Sequence, residues 1–224
     1  MKKIISVCVL LATLTIAMFS QGILTASAFF KSVSENYSTI KDYEADVDIK
    51  AGRSAMKGHV SYKNPNLLRI DFSDPKDQVV CFNGNLLTIY LPDQQVILNQ
   101  SVDNSSGGNG ANLATAQGLT LLSRYYSPAY ETGPEPVLLD DDSEEMVVNL
   151  ILRRRNTSEA FTTIRLSVAS SSMLIRRIIA TTPQGEEFTF DFKNYQLNTG
   201  ISDQRFIYDA PTSANNYNNF LFSE

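Results

Sequence analysis

The sequence predicts a mainly β protein with helices, built as a single domain around a curved antiparallel sheet or barrel. Three observations predict it. Apolar and polar residues alternate with period two through long stretches on both sides of the chain's middle. Turn signals separate these stretches at intervals of about eight residues in the first half. Helical periodicity appears in two places only, near the start and in the middle. Of 224 residues 43% are hydrophobic, which is enough chain and enough apolar surface for one sizeable core.

The chain opens with Met1-Lys2-Lys3, an apolar run from Ile4 to Phe19, and the small-residue triplet Ala26-Ser27-Ala28. A short basic stretch, an apolar core and an A-x-A site are the parts of a secretory signal. Residues 1–28 are therefore expected to be a signal peptide cleaved after Ala28, and 29–224 the mature domain. Cys8 sits deep in the apolar run behind Val7, which is the wrong setting for a lipoprotein cleavage site. Its loss with the signal would leave Cys81 without an internal disulfide partner. Cys81 lies in the run Val79-Val80-Cys81-Phe82 and reads as a packed small side chain. Losing Lys2 and Lys3 shifts the formal charge from −5 to −7. That balance argues against nucleic acid and against anionic membrane as partners.

Phe30, Val33, Tyr37 and Ile40 recur at helical steps and predict a first helix. The period then changes to two. Tyr43, Ala45, Val47 and Ile49 predict one strand, and Met56, Gly58, Val60 and Tyr62 a second. Asn64-Pro65-Asn66 makes a turn. Leu68, Ile70 and Phe72 form a third strand, closed by Ser73-Asp74-Pro75. Val79–Phe82 and Leu86–Leu91 flank Asn83-Gly84-Asn85, a hairpin signal. Pro92-Asp93 leads to a further strand over Gln95 to Leu98.

Asn104 to Asn109 is rich in Ser, Gly and Asn and predicts a loop. Ala111 to Tyr126 follows a helical pattern, with Arg124 as its one charge. Pro128, Pro134 and Pro136 punctuate the next stretch. Strands resume with Met146, Val148, Leu150 and Leu152. Ile164, Leu166 and Val168 follow, then Leu174 to Thr181. Phe188, Phe190 and Phe192 alternate after the turn Pro183-Gln184-Gly185. A last apolar segment runs from Phe206 to Tyr208.

No catalytic constellation emerges, so the chain is not expected to be an enzyme. His59 is the only histidine and falls on the polar parity of its strand, facing solvent. No zinc spacing, nucleophile elbow or phosphate loop is present. No cofactor or metal is expected. The acidic run Asp140-Asp141-Asp142-Ser143-Glu144-Glu145 lacks calcium-loop spacing and reads as a solvated hairpin tip. Arg153-Arg154-Arg155 reads as a strand running out into a turn.

Several elements in order resemble one family. They are Tyr37 to Ile40, Lys63-Asn64-Pro65-Asn66-Leu67, and Asn83-Gly84 with Leu87-Thr88-Ile89-Tyr90 before Pro92. Leu119-Thr120-Leu121-Leu122 and Phe206-Ile207-Tyr208-Asp209-Ala210-Pro211 follow. Together they resemble LolA, the periplasmic carrier of outer-membrane lipoproteins, over nearly the whole mature chain. The resemblance implies an incomplete antiparallel β-barrel covered by an α-helical lid, with a cavity for acyl chains. It implies a carrier that shields those chains and moves lipoproteins from inner to outer membrane. Its partners would be acylated lipoproteins, an inner-membrane lipoprotein-releasing transporter and an outer-membrane acceptor. The carrier itself is expected to be a monomer in the periplasm.

On this reading the cavity lining comes from Val47, Ile49, Val60, Leu68, Ile70, Leu87, Ile89, Leu150, Leu166 and Phe190. The lid residues are Val33, Tyr37, Leu119 and Leu122. A glycine-rich loop before the second helix would let that helix move. The sequence departs from the family at Asn64, where an arginine that holds the lid is common. Lys63 and Arg69 are the nearest substitutes, on different strand parities. A rival of the same fold is a periplasmic regulatory protein that senses lipid or lipoprotein. Sensors of this kind usually carry a second domain, for which the chain is expected to be too short.

Overall fold

The computed structural model describes residues 24–102 and 114–220. Helix α1 (Ala26–Thr39) is followed by six strands: β1 (Asp42–Ala51), β2 (Ser54–Lys63), β3 (Leu67–Asp74), β4 (Val79–Phe82), β5 (Leu86–Leu91) and β6 (Val96–Ser101). Helix α2 (Ala116–Tyr125) leads into β7 (Tyr126–Tyr130) and the short β8 (Val137–Leu138). The remaining strands are β9 (Met146–Arg154), β10 (Thr163–Ala169), β11 (Ile175–Thr181), β12 (Glu187–Leu197) and β13 (Asn215–Asn218).

All thirteen strands join one sheet, in the order β13-β6-β5-β4-β3-β2-β1-β12-β11-β10-β9-β7, with β8 also on β9. Its two ends are not paired with each other, so the sheet is curved but unclosed, as an incomplete barrel requires. Pairing is antiparallel between sequence neighbours because tight turns connect them. The chain crosses the sheet's middle once, where β1 pairs with β12.

The strands expected from periodicity form, except the late one at Phe206–Tyr208. Four local expectations change. Helix α1 begins at Ala26, inside the triplet expected to mark cleavage, because the Thr25 hydroxyl accepts the Ala28 amide and caps it (3.1 Å). The expected signal run Ile4–Phe19, with Cys8, lies outside the described residues. So do the Asn104–Asn109 loop and the first expected residues of the second helix, Ala111 and Leu113. That helix also stops one residue early, since Tyr126 turns extended and opens β7. Pro128 sits inside β7, which an edge strand tolerates because one side of its backbone is unpaired.

The third change is at Phe206–Tyr208. In place of a strand, Asp203–Phe206 forms a 3-10 turn capped by the Ser202 hydroxyl, followed by irregular chain. The fourth is β13, an asparagine-rich strand with no apolar alternation to announce it. It pairs in parallel with β6.

The acidic tip between β8 and β9 is also less free than expected. Arg177 holds Asp140 through two nitrogens (2.9 and 3.1 Å), and Arg176 pairs with Glu145 (2.8 Å).

Candidate functional site

Directly paired residues share a face of a sheet, so the register shows which side chains line the concave side. One row runs Ala45, Val60, Ile70, Val80, Ile89, Leu98 across β1 to β6. Another runs Met56, Ile49, Phe190, Ile178, Leu166, Leu150 from β2 through β1 and β12 to β9. Leu68 and Leu87 flank Phe82 in a third, and Val47 lies opposite Phe192. All ten lining candidates therefore face the same concave side.

Their burial divides them. Val47, Ile49, Val60, Leu68, Leu150 and Leu166 are buried in the core. Ile70, Leu87, Ile89 and Phe190 are only half-buried, as are Met56, Val80, Leu98 and Phe188. The four lid candidates are all buried: Val33 and Leu119 fully, Tyr37 to 1% exposure and Leu122 to 4%. The helices thus plug part of the concave face with a packed core. Across β3 to β6 a band of aliphatic side chains stays partly open to solvent.

Gly58 shapes this band. A Cβ there would lie 3.0 Å from both the Ile70 Cγ2 atom and the Asp71 carbonyl. Its absence lets the Ile70 side chain lie across β2.

Two tyrosines, Tyr37 and Tyr43, tie the helices to the sheet, within a cluster that includes Tyr62 and Tyr195. The Tyr37 hydroxyl accepts the Ile175 amide (3.0 Å), and Tyr195 donates to the Ile175 carbonyl (2.8 Å). Tyr43 donates to the Ala114 carbonyl (3.0 Å), just before α2. The Tyr43 ring packs against Tyr62 and Tyr195. Burial pushes Tyr37 and Tyr62 up to about 12 and Tyr43 and Tyr195 well above their usual value. Their hydroxyls therefore remain protonated donors at any physiological pH.

Tyr195 reaches this cluster through a β-bulge. The register between β1 and β12 shifts between Glu44 and Asp46, and Asn194 takes a positive φ of 55°. The extra residue re-aims Tyr195 to the concave side, while Asn194 donates to Asp46 on the convex side.

Neither candidate substitute for the family arginine bonds to α1 or α2. Lys63 donates to the Ile201 carbonyl (2.8 Å). Arg69 binds Asp71 (2.7 and 3.0 Å) and the Arg205 carbonyl (3.2 Å). The β2–β3 register puts both on the convex face, correcting the expectation that their parities differ, and there both hold the C-terminal segment. There Phe206 is buried, its carbonyl accepts the Cys81 thiol (3.3 Å), and the Tyr208 ring lies under Arg69. Cys81 is packed as expected, and burial raises its thiol pKa. His59 is partly exposed on the same face, with its Nδ1 2.9 Å from Asp46 and Nε2 3.6 Å from Glu44. Among the described residues no helix is long and apolar enough to cross a membrane.

An unclosed, mainly antiparallel sheet with helices seated in its concave side, and an apolar band left half-covered, defines an incomplete-barrel type of fold with an apolar concave face. A sequence-family model described as outer membrane lipoprotein carrier protein LolA matches residues 48–209. The chain belongs to the LolA family. No curated protein sequence matches it. Among solved structures, an uncharacterized conserved protein from Thermus thermophilus is similar at 12% identity and TM-score 0.55. That alignment covers 84% of this chain and 98% of the other. The Mycobacterium tuberculosis lipoprotein LppX is similar at 11% identity and TM-score 0.51, covering 79% and 97%. Pseudomonas aeruginosa MucB, solved with MucA, is similar at 14% identity and TM-score 0.50, covering 85% of this chain and 62% of the other.

Proposed function

We propose that the protein is a non-enzymatic carrier on the far side of the cytoplasmic membrane, in the periplasm. It shields lipoprotein acyl chains and moves them from inner to outer membrane. A releasing transporter in the inner membrane would load it, and an acceptor at the outer membrane would unload it. The observation that carries this reading is the half-buried aliphatic band Ile70, Val80, Ile89 and Leu98 on the concave face. A folded domain has reason to keep such a band accessible when something apolar docks there.

The physics of the cargo supports it. Each buried methylene is worth about 0.8 kcal/mol, so a chain of about sixteen carbons resists water by roughly 12 kcal/mol. An aqueous gap is closed to such a chain without a carrier. A wall of aliphatic side chains supplies area without directional bonds, so it takes up and releases acyl chains without covalent chemistry.

The test is equilibrium titration with a fluorescent fatty acid, followed by transfer of an acylated lipoprotein from inner-membrane vesicles. Saturable binding and soluble lipoprotein complexes are expected. Absence of saturable binding would overturn the reading. A regulatory binding protein of the same fold is the second reading, supported by the likeness to MucB, which was solved with a protein partner. It would bind lipid or lipoprotein in the titration and yet leave lipoprotein transfer unaffected when depleted.

A further inference from the structure

Strand β13 lies beyond residue 209, where the match to the LolA family ends. It has the composition Asn215-Asn216-Tyr217-Asn218, and its one large side chain is 55% exposed. An exposed ring in an otherwise asparagine strand needs a reason, and the register supplies one. Tyr217 pairs with Leu98. Leu98 ends the concave row through Ile89, Val80 and Ile70. Tyr217 therefore extends the half-buried band by one strand.

The opposite face gives the same direction independently. Asn99 points to the convex side, where it accepts from Thr88 (2.8 Å). Its amide donates to Asn216 (2.7 Å) and Asn218 (3.4 Å). The residues on either side of Tyr217 are thus held convex, which leaves Tyr217 concave. The strand is also fixed at both ends, by Asn215 N–H to the Gln95 carbonyl and Asn219 N–H to the Asn99 carbonyl, each 2.7 Å. The asparagines serve as the clamp that presents the ring.

We infer that Tyr217 is the outer wall of the acyl site and sets the length of chain the protein holds best. This inference rests on the carrier reading above. From β2 to β13 the row crosses five interstrand steps of about 4.8 Å, a span of roughly 24 Å. That is the scale of a long, extended acyl chain. The flat apolar ring at the end adds contact area for the distal methylenes, and its hydroxyl stays at the solvent rim. Each methylene added to the contact is worth about fourfold in affinity. A chain long enough to reach the ring gains from it, and a short one does not.

The experiment titrates the full chain, Tyr217→Asp and Tyr217→Phe with a series of fluorescently headed acyl probes from octanoyl to octadecanoyl. Melting curves are recorded alongside. The wild-type affinity should rise with chain length. Tyr217→Asp should keep the short-chain affinities and the melting curve but lose about tenfold or more for the longest probes. Tyr217→Phe should behave as wild type. If the wild type binds and Tyr217→Asp matches it at every length, or weakens every length equally, the inference is overturned and the carrier reading stands. If the wild type binds none of the probes, both fall.

Discussion

The Tyr43 hydroxyl donates to the Ala114 carbonyl at 3.0 Å, joining β1 directly to the residue before the cap of α2. Both residues are buried. A tyrosine on the sheet thus holds the entry to the second helix, a task that neither Lys63 nor Arg69 performs. Tyr43→Phe keeps the ring and leaves a buried carbonyl unpaired. It should cost about 1–3 kcal/mol of stability. Hydrogen exchange in α2 should accelerate more than in β9 to β11, and chemical denaturation with exchange mass spectrometry checks both.

Ile89 and Leu122 separate the open band from the packed core. Ile89 is half-buried and Leu122 is 4% exposed. Ile89→Glu should weaken fatty-acid binding at least tenfold while leaving the melting temperature within a few degrees. Leu122→Glu buries a charge under α2 and should unfold the domain or lower its stability by several kcal/mol. Calorimetry and probe titration on the two variants give the comparison.

Acid should loosen the C-terminal segment. Burial alone would raise the Asp71 carboxyl pKa, yet hydrogen bonds from Arg69 and the charges of Arg69 and Arg205 hold it below the usual carboxylate value. A carboxyl with a depressed folded pKa stabilises the fold above its unfolded value of about 4 and loses that contribution as pH falls through the folded value. Stability should therefore fall below about pH 4. Asp46 and Asp140 are lowered too, through His59 and Arg177 respectively, and contribute to the same decline. Asp71→Asn should be less stable at neutral pH and show a shallower acid loss. Denaturant midpoints measured across the acid range test this.

Cys81 reports whether the same segment stays closed. Its thiol lies under Phe206, and burial raises its pKa, so modification in the native state should be slow. Phe206→Ala removes the buried ring that anchors this segment and should speed labelling at Cys81 by at least tenfold under conditions where the sheet remains folded. Peptide mapping after maleimide treatment, with circular dichroism as the control, measures the change.

Much of this is legible in the sequence. Period-two alternation placed Val47, Ile49, Val60, Ile70, Ile89, Leu150, Leu166 and Phe190 on one face, because side chains on a strand can only alternate. Turn chemistry at Asn83-Gly84 and Asn64-Pro65 set which strands became neighbours. Three features carried no readable signal. Strand β13 is three asparagines and one tyrosine with no apolar alternation, and a parallel pairing to a distant strand leaves no local pattern. The bulge that turns Tyr195 inward is a one-residue change in register. The convex cover over Cys81 comes from an irregular segment far along the chain.

Local spacing and motif order were enough to establish the strands, their alternation and the family. They were not enough to say which apolar residues are core and which stay open. Burial depends on what lies above a side chain, and that is a matter of how distant elements pack. Here the concave residues of β1 and β9 to β11 join α1 and α2 in one buried core, while β3 to β6 keep a half-covered band with β13 beside it.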